Sequence, residues 1–128
     1  MSNRNRTAGI RAELEIAKEL RDLGFDKVVS TRSESKRLDD LGVDLIQLPD
    51  PDVELPCYVQ VKKSLNMPSE SLLETDLAKP LVLVHQKQTK KGSRFYTEGQ
   101  YVIMKKEFFY KLLKYVYDNL QAVSKLKD

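Results

Sequence analysis

The sequence is sparing in the residues that usually announce a special chemistry. A single cysteine, Cys57, leaves no partner for an internal disulfide and suits a reducing compartment. A single histidine, His85, rules out a histidine metal cluster or triad, and its setting between Val84 and Gln86 reads as a strand residue beside a basic segment. No apolar run approaches the roughly 20 residues that span a bilayer, and the N-terminus lacks the apolar centre of a signal peptide. The expectation is a soluble, cytoplasmic protein that neither enters membranes nor carries a small-molecule cofactor. Internal repeats and low-complexity tracts are missing too.

What is present fits one domain over residues 1–128: 41% hydrophobic residues is ordinary for a globular chain, and 128 residues suffice to bury a core. The net charge of +3 is modest, but the cations are grouped. Arg4, Arg6 and Arg11 come before the first acid, Glu13, and Lys87, Lys90, Lys91 and Arg94 form a second cluster without an acid in it. Such groups suit phosphate backbones, or are simply solvated loops.

Apolar spacing predicts the elements. Ile10, Leu14, Ala17, Leu20 and Leu23 recur at helical intervals, with Thr7 as N-cap and Gly24 as C-terminal stop. Strands are predicted at 27–31, at 43–46 after Gly42, and at 57–62, where apolar and polar residues alternate. Residues 32–40 read as a charged loop, and Pro49, Pro51 and Pro56 punctuate an acidic turn. A short helix over 69–77, a buried strand over 81–84, an exposed turn around Gly92 and a strand over 100–104 follow. Phe108, Leu112, Leu113, Val116 and Leu120 mark a closing helix. The order α-β-β-β-α-β-β-α gives an α/β fold with a mixed central sheet flanked by helices.

Chemistry concentrates on the second and third strands. Asp44 lies between Val43 and Leu45, and Gln60 and Lys62, two residues apart, share a face of their strand. A hairpin of these strands brings Asp44 beside Lys62, with Glu13 reaching over from the first helix. Hard oxygens of this kind hold a divalent cation, and a neighbouring lysine stabilises developing negative charge. Each side chain also has a plainer reading: Asp44 as an acid bonded to backbone, Lys62 as an edge-strand charge, Glu13 as a solvent-facing helix residue. Tyr110, Tyr115 and Tyr117 on the last helix read as packing or subunit contacts.

The run Gly9-Ile10-Arg11-Ala12-Glu13 with Ala17, Leu20 and Gly24-Phe25, the segment Gly42-Val43-Asp44-Leu45-Ile46, and Tyr58-Val59-Gln60-Val61-Lys62 together resemble archaeal-type Holliday junction resolvases of the PD-(D/E)xK endonuclease-like superfamily. The likeness covers about the first half of the chain. It implies a restriction-endonuclease-like core and a structure-selective endonuclease that cuts DNA four-way junctions in recombination or repair. It further implies a magnesium or manganese ion held by Glu13, Asp44 and Gln60, with catalytic roles for these residues and for Lys62. A loop serine important in the resolvases corresponds to Ser33, with Ser30 and Ser35 as neighbours. Arg4, Arg6, Arg11, Arg32, Arg37, Lys63, Lys87, Lys90, Lys91 and Arg94 become candidate DNA contacts.

The resemblance departs at Gln60, where many such enzymes have an acid. A neutral amide brings no charge to a cation, although a Q-x-K form looks like that of Mrr-like restriction endonucleases. The expected partners are branched or duplex DNA and a second copy of the chain, with nucleoid association in a bacterial or viral setting. A restriction-like or repair nuclease, and a DNA-binding protein that lacks activity, stand as alternatives.

Overall fold

The computed structural model describes residues 3–119, apart from the side chains of residues 3–6 and 33. Helix α1 (Asn3–Asp22) presents Ala12, Ile16 and Ala17 to the sheet, where they are buried against Val28, Leu45, Leu55, Val59 and Val61. It begins earlier than the spacing predicts, so Thr7 lies inside the helix rather than capping it. It ends where expected: Gly24 has φ +122°, its amide donates to Arg21 O, and the Phe25 amide donates to Leu20 O. These paired bonds satisfy the last carbonyls and need the left-handed conformation that glycine adopts without strain.

Five strands follow in chain order across one sheet: β1 (Val28–Ser30), β2 (Leu45–Gln47), β3 (Tyr58–Ser64), β4 (Leu81–Lys91) and β5 (Arg94–Ile103). The first three form the antiparallel meander expected from sequence. β4 lies parallel to β3, and β5 returns antiparallel, so the sheet is mixed. Registers Leu45↔Val59, Gln60↔Leu83 and Lys62↔His85 fix which side chains share a face. Val59 and Val61 face α1; Gln60 and Lys62 point to the other side by strand alternation. On that other side Leu81 and Phe108 are buried, and they line a cavity of about 250 Å³ with Leu73 and Leu77. Fully burying a leucine such as Leu45 or Leu83 stabilises the fold by roughly 1.5–3 kcal/mol.

Three predictions need correction. Residues 32–40 are not a loop but two short helices, α2 (Thr31–Glu34) and α3 (Lys36–Asp40). Ser30 Oγ accepts from the Arg32 amide and Ser35 Oγ from the Leu38 amide, so these serines act as N-caps. Amphipathic periodicity cannot reveal helices of four and five residues. Second, the helix over 69–77 shrinks to a 3-10 turn, Glu70–Leu73: the Leu72 amide donates to Ser69 O and the Glu74 amide to Ser71 O, and Leu73 is the buried residue of the turn. Third, the strands around Gly92 are far longer than their apolar cores. β4 and β5 continue as a ribbon joined by Gly92 and Ser93.

Helix α4 (Lys106–Asp118) buries Phe108, half-buries Leu112 and Val116, and leaves Leu113 exposed; Leu120 lies outside the described residues. No helix among the described residues is long and apolar enough to cross a membrane.

Candidate active site at the β2–β3 edge

The chain reaches Asp44 through a tightly specified turn. α3 ends at Asp40 with Leu41 as its C-cap, Gly42 adopts φ +87°, its amide donates to Asp39 O, and the Val43 amide donates to Leu38 O. This is the same helix-ending pattern seen at Gly24. Thr31, fully buried, ties the far side: its amide donates to Asp44 O at 2.9 Å and its hydroxyl to Val43 O at 2.6 Å. Asp44 then enters the sheet, its amide donating to Val59 O at 2.8 Å.

Its side chain reaches the backbone of the neighbouring strand β3. The Val61 amide donates to Asp44 Oδ2 at 2.8 Å, so the carboxylate takes the place of a β2 carbonyl between Gln60 and Lys62. Oδ1 accepts no hydrogen bond from a described residue. Burial pushes the Asp44 carboxyl up to about 6; the Val61 amide opposes this, Glu13 adds to it, and Lys62 and Arg32 oppose it. Asp44 thus feels the charges of Glu13, Lys62 and Arg32. A carboxyl perturbed in this way is a mark of functional sites.

Glu13 is only 5% exposed although it is charged. Arg32 compensates it with a two-pronged contact, Nε to Oε2 and Nη2 to Oε1, both 2.9 Å. The Glu13 hydrogen bond holds the Arg32 guanidinium above its ordinary value against the opposing effect of burial. Arg32, expected as a phosphate contact, is therefore engaged by Glu13 in this structure.

Gln60 is 7% exposed, and its Oε1 is buried with no hydrogen-bond partner. Its amide lies against Gly42, where an added Cβ would sit 3.2 Å from Nε2. An orphaned carbonyl oxygen costs about 1–3 kcal/mol unless something satisfies it. A hard divalent cation takes oxygens of this kind. The fit is partial, since no group of three or more His, Cys, Asp or Glu side chains among the described residues is placed to hold a metal ion.

The other predicted residues are dispersed. Ser33 lies in α2, with its side chain outside the described residues, as are those of Arg4 and Arg6 in α1. Arg11 and Arg37 are exposed on α1 and α3, and Lys63 is exposed on the face opposite Lys62. Lys87, Lys90, Lys91 and Arg94 stand on the β4–β5 ribbon. His85 is buried, with Nε2 3.0 Å from Ser64 Oγ, and so belongs to the packing of β3 on β4.

Sequence reasoning missed Thr31 and the cap roles of Ser30 and Ser35. The signal available was serine ahead of short charged segments, with Gly42 after the second. A cleft of about 590 Å³ lined by Pro49, Asp50, Asp52 and Glu54 includes none of the predicted site residues. Compared with known proteins, the chain matches no family model, no curated protein and no solved structure.

Proposed function

We propose that the chain is a metal-dependent, structure-selective DNA endonuclease with a restriction-endonuclease-like core, similar to the archaeal-type Holliday junction resolvases of the PD-(D/E)xK superfamily. The observation that carries this reading is the Asp44 carboxylate bonded to the Val61 amide, between Gln60 and Lys62, within reach of the charges of Lys62 and Glu13.

In this reading Asp44 and Gln60 would hold a magnesium or manganese ion, and the Glu13 carboxylate, paired with Arg32, adds negative charge felt at Asp44. When bound, such an ion polarises a phosphate and acidifies the attacking water. Lys62 stabilises negative charge developing on the scissile phosphate. The Val61 amide orients Asp44, and Thr31 and Gly42 hold the backbone on which Asp44 rides. Ser33, in α2, is the serine that the resemblance to the resolvases assigns a role. Arg11, Arg37, Lys63 and the ribbon cations supply contacts to the DNA backbone. A four-way junction has two-fold symmetry, so paired cuts call for a homodimer. Leu113, Tyr110, Tyr115 and Tyr117, exposed on α4, are the apolar surface available for one.

One observation favours a second reading, a DNA-binding protein that does not cut: Gln60 brings no charge, and Glu13 is already paired. A synthetic four-way junction incubated with the protein in magnesium, in manganese and in EDTA separates the readings. Symmetric, metal-dependent nicks that vanish in Asp44→Asn and Lys62→Ala, both still folded, are expected. Cuts on linear duplex instead indicate a restriction-like or repair nuclease. Binding without cuts indicates the inactive reader, and unaltered turnover in Asp44→Asn removes the site as drawn.

A further inference from the structure

The β4–β5 ribbon is the feature the fold leaves unexplained. Between Lys87 and Thr97 it carries no acid, while Lys87, Lys90, Lys91 and Arg94 supply cations. Lys87 is partly answered by Glu98 at 3.4 Å, but Lys91 and Arg94 have no carboxylate partner among the described residues. Two aromatics stand beside them in water: Phe95 is 56% exposed and Tyr96 47%.

Register decides where these side chains go. Lys62 pairs with His85 on the parallel β4, so Lys62, Lys87, Thr89 and Lys91 share one face by strand alternation. A bulge between Lys87 and Gln88 shifts the partner strand by one residue, giving Thr89↔Tyr96, Lys90↔Phe95 and Lys91↔Arg94. Tyr96, Lys91 and Arg94 therefore continue the face of Lys62. Phe95 and Lys90 occupy the reverse face, and Lys90 Nζ lies 5.6 Å from the Phe95 ring centre. The ribbon runs on from the end of β3 that bears Lys62. At about 3.3 Å per residue, its tip lies roughly 20 Å past the level of that lysine, about the width of a DNA duplex. One face of the arm thus offers Tyr96 with Lys91 and Arg94, and the other offers Phe95 with Lys90.

We propose that this ribbon is an arm that enters DNA at a branch point or opened duplex, where Lys90, Lys91 and Arg94 hold phosphates and Phe95 and Tyr96 stack on unpaired bases. The proposal rests on the nucleic-acid reading above and adds the substrate feature read: base faces made available by a branch. A ring stacks on any base, so the arm selects shape rather than sequence. The cations on both faces meet strands lying on either side of an inserted ribbon, whereas an intact duplex offers phosphates but no exposed base face.

The test is fluorescence anisotropy in EDTA, where cutting does not interfere, with a labelled four-way junction, a single strand and a linear duplex. Phe95→Ala and Tyr96→Ala should each weaken junction and single-strand binding by roughly five- to a hundredfold and leave duplex binding within about twofold, with Phe95→Tyr restoring it. The double variant Lys91→Ala/Arg94→Ala should weaken all three probes and lower the salt slope by roughly 2. Aromatic variants that bind every probe like the wild type, or that weaken all three alike, overturn the proposal; so does a wild type that binds none of them. Selective binding as expected but no cutting in magnesium removes the nuclease reading and leaves the arm standing.

Discussion

Replacing Asp44 by asparagine separates what this carboxyl does for function from what it costs the fold. In the folded protein burial raises the group from 3.8 to about 6. The folded state therefore holds a proton more tightly than the unfolded chain. The contribution of this group to stability is greatest below about pH 4, falls as pH rises from there through about 6, and is level above. A shift of about two units is worth roughly 3 kcal/mol, which partial solvent exposure reduces to about 1–2 kcal/mol. Asparagine keeps an oxygen to accept from the Val61 amide but carries no charge to desolvate. In EDTA at pH 8 Asp44→Asn should therefore be the more stable protein by about 1–2 kcal/mol, or several degrees in Tm, while the two proteins converge near pH 4. Magnesium should raise the Tm of the wild type and not of the variant, because only a ligand that binds the folded state stabilises it. Thermal unfolding at four pH values, with and without magnesium, reads all of this. An Asp44→Asn protein that is less stable at pH 8, or whose advantage ignores pH, would refute the argument.

Arg32→Gln removes the cation paired with the buried Glu13 carboxylate; because the Arg32 side chain is 40% exposed, water offsets part of the loss, and the cost in urea unfolding should be about 1–3 kcal/mol, with Arg32→Lys losing the two-pronged contact and falling between. Gly42→Ala forces a side chain into a φ of +87° and to 3.2 Å from Gln60 Nε2. It should destabilise by about 1–2 kcal/mol and lower cleavage by moving Asp44 and Gln60; unchanged stability would count against the turn as the element that sets the site. Burial pushes the Cys57 thiol up to about 11, so alkylation at pH 8 should be slow in the folded protein and rapid in urea. Fast labelling of the native chain would contradict the burial.

Much of the fold was legible because its signals are local. Ala17 at helical spacing and Gly24 as a stop marked α1, Val59 and Val61 in alternation marked β3, and Val82 to Val84 marked the buried start of β4. What escaped was structure with little apolar content. α2 and α3 are capped by single serines and are too short for periodicity, and the outer half of the β4–β5 ribbon buries little on either face. Hydrophobic patterning is blind to elements that bury no apolar side chain.

For the site, the sequence by itself determined the chemical types and their order: Glu13, then Asp44, then Gln60 and Lys62 two residues apart on one strand face. Only the tertiary structure decided their engagements. It set Asp44 Oδ2 on the Val61 amide, closed the Arg32 fork on Glu13, left Gln60 Oε1 without a partner and extended the ribbon beyond Lys62. The physical reason is separation along the chain. Arg32 stands 19 residues from Glu13 and Val61 17 from Asp44, and no local preference spans such distances. They meet because α1 buries its apolar stripe on the strands that carry the site.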